Sequence, residues 1–182
     1  TRIGRQHMHE MCDRFGAQVV VDSMEAMIAA SGEEFKAALK DVPNGTSEAE
    51  GFLDHDGFDV TTKVRLHVRL TVEDGKFNFD FTGCDPQTQG PVNLRIGMVE
   101  AAVYFCLIGM IDSNLRYSDS IRDLVTFKFS KRSVVSAEPP RPCSSYMKCC
   151  LKLCDVILEA MDPLLPGRAI AHSGGSGGSI IV

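Results

Sequence analysis

The sequence lacks any apolar run long enough to cross a bilayer. A spanning helix needs about 20 consecutive apolar residues, and the longest candidate, Met98 to Ile111, is interrupted by Glu100. A membrane-embedded protein is therefore not expected. Clustered basic charge is missing too: no run of Lys or Arg exceeds two, and 19 basic against 24 acidic residues leave a formal charge of −5. Nucleic-acid binding requires a concentrated Lys/Arg surface, so that partner class is set aside. No apolar signal stretch follows the opening Thr1-Arg2-Ile3-Gly4-Arg5, and no initiator Met precedes it. The expectation is a cytoplasmic chain without an export signal that is a piece of something longer. Seven cysteines, an odd number, then read as reduced thiols rather than a disulfide framework. Also absent are a G-x-S-x-G elbow, a Ser-His-Asp order and a Gly-Lys-Ser/Thr phosphate loop.

With 182 residues, 44% of them hydrophobic, about one domain with one sizeable core is implied. Ile3, Met8, Met11 and Phe15 are spaced as on a helix, with Gly16 as its C-cap. A stronger 3.6-residue pattern runs from Ala17 to Leu39, broken at Ser31-Gly32, where Ser31 and Glu34 form a capping-box pattern for a second helix. Pro43-Asn44-Gly45 ends this helical part. Residues 1–42 are thus read as helical and 47–182 as α+β.

The period then changes. Val64, Leu66, Val68, Leu70 and Val72 alternate with Lys63, Arg65, His67, Arg69 and Thr71, the signature of a half-solvated strand. Asp74-Gly75 is a hairpin turn signal, and Phe77, Phe79 and Phe81 continue the alternation in a returning strand. Residues 93–112 are apolar on nearly all sides and predict a buried helix. Short strands are expected at 124–129 and 133–136. A helix at 144–161 would carry Met147, Cys150, Leu151, Cys154, Ile157 and Leu158 on its apolar face. The fold class is α+β: N-terminal helices, a central hairpin or sheet, and buried helices packed on it.

Several constellations bear on chemistry. Cys143, Cys149, Cys150 and Cys154 invite a metal reading, yet three fall on one helix, where Cys149 points about 100° from Cys150. Core packing explains them more simply than paired zinc knuckles. His7 and His9 fall on opposite faces of a helix and form no ligand pair. Asp54-His55-Asp56-Gly57 resembles the start of a calcium loop, but position twelve would be Arg65 rather than Glu, so a turn between strands is expected. The stretch from His172 and Ser173 to Ser179 is either a Gly-rich loop lining a site or a connector.

The segment Phe81 to Asn93 stands out. It leaves a strand, opens a helix, and holds Gly83, Asp85, Gln87, Gln89, Gly90 and Asn93. Two glycines allow close backbone approach, first-turn N–H groups can meet an anion or carbonyl, and the polar side chains add donors and acceptors. A well-capped turn, with Asn93 as N-cap, explains the same residues and is the favoured reading on the residues alone.

Phe81-Thr82-Gly83-Cys84-Asp85-Pro86-Gln87-Thr88-Gln89-Gly90-Pro91-Val92-Asn93 resembles the F-[ST]-G-[ST]-x-P-Q-x-x-G-P-[IV]-N segment of the hydantoinase B/oxoprolinase family. Leu39 to Thr46, Gly51 to Gly57, Glu100 to Met110 and Ser133 to Pro140 are similar to further family stretches in the same order. Family members are longer, so the resemblance implies the middle-to-C-terminal part of such a subunit. It further implies ATP-dependent opening of cyclic amides or carboxylation of ketones. ATP would be used by a hydantoinase A-type nucleotide-binding partner or a missing part, in a hetero-oligomer acting on a small carbonyl compound. A divalent metal belongs to the related carboxylases, with ligands in a segment not matched here, so no metal residue is assigned. The catalytic residues are not identified. Gly83, Asp85, Gln87, Gln89, Gly90, Asn93, His172 and Ser173 are the candidate substrate-binding residues. A non-catalytic assembly domain, or a cysteine-rich metal module, are the other classes open at this point.

Overall fold

The computed structural model describes residues 1–172. Its elements in chain order are α1 (Arg2–Phe15), α2 (Ala17–Leu39), β1 (Gly45–Leu53), β2 (Val64–Glu73), β3 (Lys76–Asp80), α3 (Ile96–Ile111), β4 (Val125–Lys128) and α4 (Tyr146–Met161). A short 3-10 helix, Asp119–Asp123, precedes β4. The strands form one mixed sheet in the order β1-β2-β3-β4. β1, β2 and β3 are antiparallel neighbours, whereas β4 returns parallel to β3 after the α3 crossover. This is the α+β arrangement expected from the pattern.

Alternation builds the core. The five apolar residues of β2 are buried while Arg65, His67, Arg69 and Thr71 face the other way. Leu70 pairs with Phe79 and Val72 with Phe77, so the two strands present one apolar surface. The rings of Phe79 and Phe81 stack on Phe127 and Phe129 at 6.2 and 5.5 Å between centroids. α4 covers this surface, and α3 packs on α4 and meets the sheet edge-on through Tyr104 and Phe127 at 5.8 Å. Phe35, Leu39 and Val42 from the end of α2 enter the same core.

Four local expectations are corrected. α2 is continuous through Ser31-Gly32; Ser31 caps nothing, and its hydroxyl donates instead to the Arg116 carbonyl at 3.0 Å. Residues 133–136 form no strand, only a bridge between Ser133 and Pro86. The buried face of α4 is Cys149, Leu153, Val156, Ile157 and Ala160, whereas Met147 is exposed. The fourth concerns β1, which the alternation did not indicate. Its inward residues are Ala49 and Gly51 because α4 lies directly on the strand. A Cβ at Gly51 would come within 2.7 Å of Val156 Cγ2, and one at Gly45 within 2.8 Å of Leu164 Cδ2.

Candidate functional site

The segment from Phe81 to Arg95 forms one wall of a cleft of about 620 Å³. The opposite wall is the β1–β2 connection, with Asp56, Phe58, Asp59 and Lys63; Arg141 closes one side. The segment holds its shape by hydrogen bonding to β2 and to the stretch 132–138, among other neighbours. Asp85 exchanges bonds with Arg65, its N–H donating to the Arg65 carbonyl at 3.1 Å and its Oδ2 accepting the Arg65 N–H at 2.7 Å. The Gln87 N–H donates to the Arg132 carbonyl at 2.7 Å, and Gln87 Oε1 accepts the Glu138 N–H at 2.8 Å. The Leu94 N–H donates to the Val134 carbonyl at 2.7 Å.

Asn93 ties the segment together. It is fully buried, and its Oδ1 accepts the Thr88 N–H at 2.8 Å. Its Nδ2 lies 2.9 Å from the Gly90 carbonyl and 2.8 Å from that of Pro142. Every polar atom of this amide is thereby engaged by the protein. It does not cap α3, as the capping reading expected: the N-cap is Arg95, without a side-chain cap bond. Asp56 does for the opposite wall what Asn93 does for this one. Its Oδ1 accepts the N–H groups of Phe58 and Asp59 at 2.8 and 2.7 Å, and its Oδ2 accepts that of Gly90 at 2.9 Å. Burial raises its pKa, but three backbone donors outweigh burial and hold the carboxyl below its ordinary value. Gly90 must be glycine here, since any Cβ would overlap the Asp56 carbonyl.

Asp59 also faces the cleft, its Oδ1 accepting the Thr61 hydroxyl at 2.6 Å and N–H at 2.9 Å. Those donors lower its pKa to about 2, so it remains ionised under all ordinary conditions.

The structure thus separates the candidate residues. Asp85, Gln87 and Gln89 line the cleft together. Gly90 and Asn93 lie buried behind them as part of the loop's framework. Gly83 sits away from the cleft under the His67 ring, with no room for a Cβ. His67 itself is not solvated as its strand pattern suggested: its side chain is 17% exposed and its Nδ1 is buried, with no hydrogen-bond partner among the described residues. His172 lies after α4, its Nε2 3.9 Å from Glu159 Oε2, and Ser173 with the rest of the Gly-rich stretch falls outside the described residues. Lys63 and Arg141, which no motif marked, are brought to the cleft by the fold.

The backbone differs from expectation in one respect that matters for chemistry. The N–H groups of Asp85, Gln87, Thr88 and Gly90 are all spent within the protein. What the cleft offers a ligand is therefore side chains rather than a row of amides. Cys84, in the same segment, exchanges bonds with the His67 backbone at 3.2 Å, and burial pushes its thiol up to about 11. Cys149 is in the core, its thiol raised by burial. Low reactivity follows for both. Among the described residues, no group of three or more His, Cys, Asp or Glu is arranged to hold a metal ion. Nor is any described helix long and apolar enough to cross a membrane.

A mixed sheet backed by α3 and α4, with a glycine-flanked loop walling a polar cleft, defines an α+β fold. Over residues 1–182 the sequence matches the family model described as Hydantoinase B/oxoprolinase, and the chain belongs to that family. The B-type subunit of a putative D-/L-hydantoinase from Pseudomonas sp. (strain NS671) is 27% identical over 183 residues, covering 95% of this chain and 31% of the relative. An ATP-dependent caprolactamase from Pseudomonas jessenii superposes with a TM-score of 0.81 at 18% identity, over 92% of this chain and 29% of that one. Nucleotide-free acetone carboxylase gives a TM-score of 0.75 at 14% identity, over 90% and 23%. These two show the shared fold. The chain spans 31% of the length of the first curated relatives it matches.

Proposed function

We propose that the chain is part of a B-type subunit of an ATP-dependent enzyme that either opens cyclic amides, as hydantoinases and oxoprolinases do, or carboxylates ketones. A hydantoinase A-type partner handles the nucleotide and phosphorylates the carbonyl oxygen of the substrate. Phosphorylation converts a poor leaving oxygen into a good one, and the cleft holds the activated compound away from bulk water. The observation that carries this reading is that the family's loop brings Asp85, Gln87 and Gln89 together along one wall of the 620 Å³ cleft. Rigid support of that wall through Asn93 and Asp56 is what positioning a reacting group requires.

The test is turnover in a complex reconstituted with an A-type partner, following ATP-dependent ring opening of a hydantoin or lactam. Gln89→Ala, at an exposed position, lowers kcat/KM about tenfold or more with no change in melting temperature. Unchanged turnover in Gln89→Ala and Asp85→Asn, with wild-type melting, overturns the proposal. One observation favours a second reading, an assembly role without catalysis: Phe15, Met27 and Phe105 are 53%, 64% and 75% exposed on helices. Under that reading the complex forms, and both variants assemble and turn over like wild type.

A further inference from the structure

Five charged side chains line the cleft: Asp56, Asp59, Asp85, Lys63 and Arg141. By count they leave it with one negative charge in excess, which would disfavour an anion. Their hydrogen bonding says the opposite. Asp56 gives both oxygens to backbone N–H groups of the walls. Asp59 gives Oδ1 to Thr61, and Asp85 gives Oδ2 to the Arg65 N–H. Each carboxylate thus spends at least one oxygen on donors of the surrounding framework, whose partial positive charge offsets part of its own.

The two cations are not committed in this way. Among the described residues, neither Lys63 nor Arg141 makes a side-chain hydrogen bond or ion pair. On the neighbouring sheet surface, by contrast, Arg65 and Arg69 are matched with Glu50 at 2.7 Å and Glu48 at 3.2 Å. The amides follow the same rule. Gln87 has its oxygen occupied by the Glu138 N–H, which leaves its Nε2 as the free end. Gln89 is unengaged and exposed. What remains unspent in the cleft includes the second oxygen of Asp85 and the Gln89 amide, but its uncommitted cationic donors are Lys63 and Arg141, with Gln87 Nε2 beside them.

We infer that the cleft binds an anionic oxygen group of its ligand, a phosphoryl or a carboxylate, through the side chains of Lys63 and Arg141, with Gln87 Nε2 as a neutral third donor. This rests on the proposed function for the identity of the compound, and it moves the anion contact from the loop amides to side chains, the two cationic ones outside the family's loop segment. Arg141 offers a planar, forked set of donors and Lys63 a compact point charge, a combination that suits a group with two or three equivalent oxygens. A plain cyclic amide carries no such group. The bound species would be the amide or ketone after activation, which adds a phosphoryl group, or a substrate that carries its own carboxylate.

The test uses the full chain alone, without partner or nucleotide, and titrates it with inorganic phosphate and separately with acetate, followed by amide chemical shifts or calorimetry. Saturable binding is expected that weakens about tenfold in each of Lys63→Ala and Arg141→Ala. It is unchanged in Arg69→Ala and falls with added salt. Tighter binding of phosphate than acetate assigns the phosphoryl group, and the reverse assigns a substrate carboxylate. The inference is overturned by the absence of saturable binding of either anion, by binding that Lys63→Ala and Arg141→Ala leave unchanged, or by a loss confined to one of the two. Because no turnover is measured, this result stands apart from the reconstitution assay. Anion binding without ring opening or carboxylation would remove the proposed function and leave the site. Turnover that depends on Gln89, with no effect of Lys63 or Arg141 on KM, would do the reverse.

Discussion

The loop from Phe81 to Arg95 and the helical stretch from Arg2 to Ala30 are two long segments that solve their folding problems in opposite ways. The loop has no regular structure of its own, yet Phe81, Asn93 and Leu94 within it are fully buried, and its backbone is bonded to four separate parts of the chain. The helices satisfy their own backbones, and α1 buries no residue at all. Between them α1 and the first half of α2 leave Ile3, Phe15, Val19 and Met27 more than half exposed. Regular secondary structure is thus a poor guide to which part of this molecule is well determined. An irregular loop that is cross-linked by buried polar bonds is more firmly specified than a helix that buries little of its surface, because a helix without such burial is marginal in water.

Substitutions sharpen that contrast. Phe79→Ala, in the stacked aromatic core beneath the loop, is expected to cost about 4 kcal/mol, since it removes a fully buried ring between Phe81 and Phe127. Chemical denaturation would read this directly, and a loss below about 1 kcal/mol would mean that the sheet face is not the core. Asn93→Ala follows at about 3 kcal/mol: it strands the Thr88 N–H and two carbonyls away from water. Hydrogen exchange at Thr88 checks it, with faster exchange expected in the variant.

How much of this was legible follows the same division. The hairpin was readable because its burial alternates residue by residue and Asp74-Gly75 fits the turn with both residues at positive φ. β1 was not, because close contact with α4 and with Leu164 just beyond it leaves Gly45, Ala49 and Gly51 where a readable strand would have Val or Ile. Ser31 was misread because a distant carbonyl, that of Arg116, claims the hydroxyl a local cap would use. The loop was visible as a motif with glycines at fixed places, but not the division of labour within it. Asn93 and Gln89 look equally available in the sequence, and only the fold makes one a buried tie and the other a free side chain. Lys63 and Arg141 carry no local signal, since they meet through the β1–β2 connection and the turn before α4.

Asp56→Asn probes the joint between the two cleft walls and comes next in size, at about 2 kcal/mol near neutral pH. The substituted amide would turn either a weaker acceptor or a second donor toward the Gly90 N–H. The folded-state value of Asp56 lies below the ordinary 3.8, so its charged form favours the fold. That contribution is complete above the unfolded value and is lost as the pH falls through the folded one. The gap between wild type and variant should therefore narrow on acidification between about pH 5 and pH 2, whereas a constant gap would show that the carboxylate's charge is not what Gly90, Phe58 and Asp59 hold.

The smallest effect belongs to the other region. Met27→Ser and Ile3→Ser should change the stability of the chain alone by no more than about 0.5 kcal/mol, because neither side chain loses packing it has. A loss of about 2 kcal/mol or more in either would collapse the comparison by showing that this stretch is packed in solution. If a long helical segment can be altered at its apolar positions without cost while one buried amide in the loop cannot, those apolar positions serve contacts outside the chain's own core. Met27→Ser and Ile3→Ser should then weaken capture of the proposed A-type partner in a pull-down while leaving the melting temperature in place, and equal recovery by wild type and both variants would deny the helices that role.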